Sequence, residues 1–154
     1  TLLKTLLGIL PPVSGGVKLD DYLYPGYFEQ ESEYGNTRTA LEEVWKDYPG
    51  MSNAEVRGAL AKCGLTNEHI TSQMMVLSGG ESAKVRLCKL MLKDINWLVL
   101  DEPTNHLDVA AKSELKNALK DFKGTILLVS HEPEFYEDFI TDVWNVENWT
   151  TKIV

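Results

Sequence analysis

The sequence holds only two cysteines in 154 residues, Cys63 and Cys88. Two thiols cannot make a disulfide framework, and their spacing is not that of a metal site. Reduced thiols in a cytoplasmic protein are therefore expected. No apolar run approaches the ~18 residues that a membrane-spanning helix needs, and no signal-peptide pattern opens the chain. Positive charge is scarce too: 15 Lys+Arg stand against 23 Asp+Glu, a formal net charge of −8. Phosphate-backbone binding rests on Lys and Arg, so bulk attraction to nucleic acid is excluded. Any such contact is local, or is made elsewhere in a larger protein. There is no internal repeat and no low-complexity tract. What is there, 44% apolar and 25% charged residues, is the balance of one globular domain with a real core.

Leu2, Leu3, Leu6, Leu7 and Leu10 share one stripe of a helix expected over 1–10, which Pro11-Pro12 ends. That helix starts without a cap, so further sequence upstream is expected. Short strands are expected at 17–19 and at Tyr27-Phe28, the latter stopping near Gln30. Residues 31–76 change to polar, helical patterns, with helices expected over 37–47 and 52–63 and Gly64 as a left-handed cap to the second. From Leu77 the pattern predicts helix 77–93, strand 97–100, helix 109–122, strand 125–129 and helix 134–140. Residues 143–154 alternate like two strands joined near Glu147-Asn148. Strands separated by crossover helices predict an α/β fold with a mostly parallel sheet flanked by helices. The expected organisation is a single domain, 1–154, with 31–76 an α-helical subdomain inserted within it.

Three segments carry chemistry. Leu77-Ser78-Gly79-Gly80-Glu81 reads two ways: Ser78 and Glu81 have capping-box spacing, while glycines at a helix start let a phosphate approach free amides. Lys84, Arg86 and Lys89 beyond it read as a solvated basic face. Trp97-Leu98-Val99-Leu100-Asp101-Glu102 reads as a buried strand whose acids emerge at its carboxyl end, the edge where open α/β sheets bind ligands. Asp101 there suits Mg²⁺ held directly or through water, and Glu102 suits a base that orients a water for attack on a terminal phosphate. Thr125 to Val129 leads into Ser130-His131, which neighbouring strands would bring to the same edge. A lone histidine is also commonly structural. Asp108 suits the N-cap of the helix that comes after it, and His69 has no assigned role.

Taken together, Leu77-Ser78-Gly79-Gly80-Glu81, Leu98 to Asp108 (ending Pro103-Thr104-Asn105-His106-Leu107-Asp108) and Ser130-His131 resemble an ATP-binding cassette (ABC) ATPase domain. The Pro-Thr-Asn-His-Leu-Asp form resembles the ABC-F subfamily, and Gly26-Tyr27-Phe28-Glu29-Gln30 is similar to the strand entering the family's Q-loop. The resemblance implies a P-loop NTPase-like fold with ATP and Mg²⁺ as ligands. It implies signature roles for Ser78, Gly79 and Gly80, a metal-side acid in Asp101, and a catalytic base in Glu102. It further implies a D-loop role for Asp108, a switch role for His131, and nucleotide- and metal-side contacts from Gln30. Its expected partners are a second ABC cassette, in the same chain or a dimer, and the ribosome through the intact protein, with no direct membrane insertion. The rival readings are the nucleotide-binding subunit of a membrane transporter, a chromosome-maintenance ATPase head, and an inactive piece.

The family's Gly-x-x-x-x-Gly-Lys-Ser/Thr phosphate loop is absent: of eleven glycines, none is followed by lysine. Thr1-Leu2-Leu3-Lys4 resembles the residues immediately after that loop, which implies truncation at its end. Glu132-Pro133 stands where an Asp-Arg pair is common. With three acids and no loop lysine at the expected nucleotide edge, this stretch by itself is expected to bind MgATP weakly or not at all.

Overall fold

Trp97-Leu98-Val99-Leu100 is apolar without alternation, the pattern of a strand buried on both faces, and it sits at the centre of the sheet. A computed structural model describes residues 1–28, 35–105 and 107–146. In chain order its elements are α1 (Leu2–Leu6), β1 (Pro25–Phe28), α2 (Ala40–Trp45), α3 (Asn53–Lys62), α4 (Asn67–Thr71), a 3-10 turn (Met74–Val76), α5 (Gly79–Met91), β2 (Trp97–Asp101), α6 (Val109–Asp121), β3 (Thr125–Val129) and α7 (Pro133–Tyr136). The described strands form one parallel sheet in the order β1-β2-β3. Phe28 pairs with Leu100 and Asp101 with Val129, so all three carboxyl ends finish at one edge. The α/β fold with a parallel sheet and flanking helices is as expected.

The pleat sends alternate side chains of β2 to opposite faces. Leu98 and Leu100 pack with Phe28 against Ala83, Leu87 and Leu90 of α5, Leu115 and Leu119 of α6, and Phe135 of α7. Trp97 and Val99 face the other way, onto Leu3 of α1. A separate apolar cluster joins α2, α3 and α4 to the far side of α5 through Val85 and Cys88. Helix α5 therefore belongs to two cores at once. Ion pairs reinforce the join: Glu43, 5% exposed, takes Lys46 at 2.5 Å and Lys89 at 2.8 Å, and the Tyr48 hydroxyl donates to the Lys89 carbonyl at 2.6 Å.

Four helix starts share one device. Thr39/Glu42, Ser52/Glu55, Thr66/His69 and Ser78/Glu81 each make a reciprocal capping box. Gly64, at φ +80°, closes α3 in a Schellman turn: its amide bonds the Ala61 carbonyl and the Leu65 amide bonds that of Leu60.

Several expected elements are corrected. The first helix ends at Leu6 rather than residue 10, because Gly8 (φ +72°) makes the same Schellman turn, with Ile9 N–H on Lys4 O at 2.8 Å. No strand forms at 17–19: Leu19 and Leu23 lie on the Trp97–Val99 face, which takes their side chains but offers no strand edge to pair with. Helix α4 and the 3-10 turn are additional to what the pattern predicts. The helix expected over 134–140 is only α7, after which the Phe139 and Ile140 amides both turn back to Tyr136 O. Residues 143–146 form no strand, and the rest of that expected pair, with Gln30, lies outside the described residues.

Candidate functional site

The site begins where β2 stops. Glu102 has φ +45°, the left-handed region that a side chain other than glycine's occupies at a cost. Two hydrogen bonds hold it there: its amide donates to Val129 O at 3.0 Å, and its carbonyl accepts from Asn105 N at 3.2 Å. The first of these extends the β2–β3 ladder one step beyond Asp101. Glu102 is thus turned over the end of β3, where His131 emerges.

There His131 Nε2 lies 3.2 Å from Glu102 Oε1. The imidazole is 92% exposed, while the Glu102 side chain is only 23% exposed. Oε1 itself is buried and has no aligned hydrogen-bond donor among the described residues. The contact is therefore close enough for an ion pair when His131 is protonated, and it leaves Oε1 without a hydrogen bond in a solvent-excluded position. The Asp101 carboxylate, half-buried beside it, makes no hydrogen bond or ion pair with a described residue. An unpaired acid at the sheet edge fits Mg²⁺, which needs only one or two protein carboxylates besides waters and phosphate oxygens. Among the described residues no group of three or more ligating side chains forms a closed metal cage.

The loop bearing His131 is fixed by Glu132, a residue with no role expected from the motifs. The Glu132 carboxylate accepts from the hydroxyl of Thr104, 1% exposed, at 3.1 Å and from Lys112 Nζ at 2.6 and 2.8 Å. The Lys112 hydrogen bond, helped by the Thr104 hydroxyl, outweighs the opposing desolvation and holds its carboxyl below the usual range. The Glu132 amide in turn donates to Ser130 Oγ at 3.1 Å. The substitution of glutamate at this position therefore carries its own partners, Thr104 before α6 and Lys112 within it.

Ser78, Gly79 and Gly80 open α5. The Ser78 hydroxyl accepts from Glu81 N at 3.3 Å, and Ser78 N donates to Glu81 Oε2 at 2.8 Å, so its helix-capping role is real. Ser78 and Gly79 are exposed, but Gly80 is buried, and a Cβ on it would collide with Ala111 Cβ of α6. Gly80 is thus required for the close crossing of α5 and α6. Asp108 caps α6 through the Ala111 amide at 2.8 Å. The basic residues of α5 are not a solvated face. Arg86 stacks 5.4 Å from the Phe28 ring, Lys89 joins Glu43 and Asp47, and Lys84 joins the Gly64 carbonyl and Glu114.

Known proteins resemble this chain in sequence and fold. A family model described as "ABC transporter" matches residues 1–105. The ABC transporter ATP-binding protein YfmM of Bacillus subtilis is 59% identical over 154 residues, covering 100% of this chain and 30% of the relative. ABC transporter F family member 5 of Arabidopsis thaliana is 36% identical over 151 residues, covering 96% of this chain and 22% of the relative. Among solved structures, a dimeric bacterial ABC transporter cassette superposes with a TM-score of 0.59 at 22% identity, covering 77% of this chain and 60% of that one. An archaeal ribosome recycling factor, solved with a ribosomal stalk protein, gives 0.65 at 26% identity, covering 87% of this chain and 26% of that one. The chain thus spans less than a third of the curated relatives' length, and no described helix is long and apolar enough to cross a membrane. With two thirds of its residues inside the family model, the chain belongs to the ABC transporter family, with F-family members among its relatives.

Proposed function

We propose that this chain is one part of an ABC-F cassette that hydrolyses ATP, within a cytoplasmic protein that acts on the ribosome in translation or antibiotic protection. The observation that carries the reading is the 3.2 Å approach of Glu102 Oε1 and His131 Nε2 at the carboxyl edge of parallel strands, beside an Asp101 carboxylate that pairs with no described residue. The Glu102 carboxylate, one oxygen of which takes no hydrogen bond from a described residue, would orient a water and take its proton. His131 presents an N–H to the terminal phosphate, and Asp101, with Gln30, would hold Mg²⁺. When bound, that ion neutralises phosphate charge. Positioning and charge stabilisation do the work, with no covalent step on the protein.

In this reading residues 1–154 belong to one nucleotide-binding domain, with 31–76 its helical insert. Ser78 and Gly79, exposed at the start of α5, cap a nucleotide held by a second cassette, with Asp108 at the junction. The ribosomal assignment draws on the F-family relative and on the archaeal recycling factor. Replacing Glu102 by Gln in the full-length protein is expected to retain ATP binding and nearly abolish phosphate release. Wild-type release from Glu102→Gln refutes the base. Co-sedimentation with ribosomes is expected, and co-purification with a membrane protein instead would make it a transporter subunit.

A further inference from the structure

The histidine without an assigned role lies between two helix caps. His69 is the third residue of α4: its amide donates to Thr66 Oγ1 at 3.3 Å, and its Nδ1 accepts from Thr66 N at 3.4 Å. An Nδ1 that accepts a hydrogen bond carries no proton, so the neutral ring bears its hydrogen on Nε2. Nε2 lies 3.2 Å from Glu81 Oε1, and the other oxygen of that carboxylate, Oε2, takes the Ser78 amide at 2.8 Å. The result is a chain of contacts from Thr66 through His69 and Glu81 to Ser78, in which the His69–Glu81 step is a 3.2 Å approach, close enough for an ion pair rather than an aligned hydrogen bond. Both His69 and Glu81 are largely shielded, at 30% and 26% exposed.

We infer that His69 is a positioning residue, which sets the Ser78-Gly79 turn through the Glu81 carboxylate and so couples the helical segment to the start of α5. A Glu81 side chain held at only one oxygen is free to rotate about its last torsion. Held at both, it fixes the Ser78 amide and the direction in which the exposed turn points. The inference rests on the reading that Ser78 and Gly79 meet nucleotide across a pair of cassettes. If so, this chain of contacts acts on closure of the pair rather than on nucleotide capture, and its loss falls on kcat more than on KM.

His69→Glu separates this role from simple capping. Thr-x-x-Glu is itself a capping box, so α4 keeps its start, while a carboxylate now faces Glu81. In the full-length protein this variant is expected to lose roughly five- to tenfold in kcat, with KM for ATP within about twofold and little change in Tm. Adding Glu81→Gln gives the reversed pair, a glutamine donor facing a glutamate, and is expected to restore most of kcat. Should His69→Glu not fold, His69→Leu removes the donor and is expected to lower kcat in the same way. Wild-type kcat in whichever single variant folds, or no recovery in the double variant, overturns the inference. Gly79→Asp serves as the control: unchanged turnover there overturns the nucleotide reading itself, and this inference with it. Lost turnover in Gly79→Asp beside wild-type kcat in His69→Glu overturns the positioning role alone.

Discussion

The Thr104 hydroxyl and the Glu132 carboxylate, 28 residues apart in sequence, meet at 3.1 Å beneath the loop that carries His131. This bond ties the turn after β2 to the turn after β3, so the two elements that supply Glu102 and His131 move as one. Thr104→Val keeps the shape and removes the donor. It is expected to cost roughly 1 kcal/mol in chemical denaturation and to lower turnover by loosening the Glu102–His131 approach. Unaltered stability and turnover would show that the bond holds nothing in place.

His131 itself is 92% exposed, so its truncation leaves the fold alone. His131→Ala in the full-length protein is expected to lower kcat by about 10²-fold while the melting temperature stays near wild type. Steady-state ATPase assays beside thermal unfolding distinguish this from a folding defect.

Gly80 and Ala111 form a close crossing of α5 and α6. Gly80→Ala is expected to destabilise by about 1–3 kcal/mol through the added methyl. Adding Ala111→Gly should return most of that loss, less the helix cost of a new glycine. Urea titrations of the two single variants and the double variant give the coupling directly.

Acid should loosen the join between α2 and α5. Burial acts to raise the Glu43 carboxyl, but hydrogen bonds from Lys46, Lys89 and Asn36 outweigh it and bring it from 4.5 to about 2. A carboxyl depressed on folding contributes stability that is fully present above the unfolded value near 4.5. The contribution is lost as pH falls toward 2, up to about 3 kcal/mol in all. Glu43→Gln should be less stable than wild type at pH 7, and the gap should narrow steadily between pH 4.5 and 2. Denaturation midpoints across that window check it.

The two thiols should react unequally. The Cys88 sulfhydryl lowers the Cys63 pKa, while the contact with Cys63 and burial push Cys88 up. Cys63 is also the more exposed of the two. Brief iodoacetamide treatment, read by peptide mass spectrometry, should label Cys63 well before Cys88.

Much of the site could be read from residues alone because its signals are local. The apolar run of 97–100 ending in two acids defines β2 and its functional end, and 125–129 matches β3 at both ends. Serine and aspartate before helical patterns mark starts correctly at Ser52, Ser78 and Asp108. The failures have two causes, a local turn at Gly8 and tertiary context elsewhere. Leu10 lies on the same stripe as Leu3, yet Gly8 diverts the backbone first. Helix α4 carries one buried residue, Ile70, too few to show a period. The roles of Glu132, His69 and Gly80 depend on partners from other elements: Lys112, Glu81 and Ala111. No spacing within a single segment announces such meetings.

Helix α5 packs into two cores, and a rod clamped on both flanks cannot track one neighbour without disturbing the other. If α2, α3 and α4 swing relative to the sheet, then either α5 pivots and sweeps Ser78 and Gly79 through an arc, or the Glu43–Lys89 clasp opens. Among the described residues, a thirteen-residue shaft, Gly79–Met91, therefore couples the outlying helices to the sheet, with Ser78 at its tip.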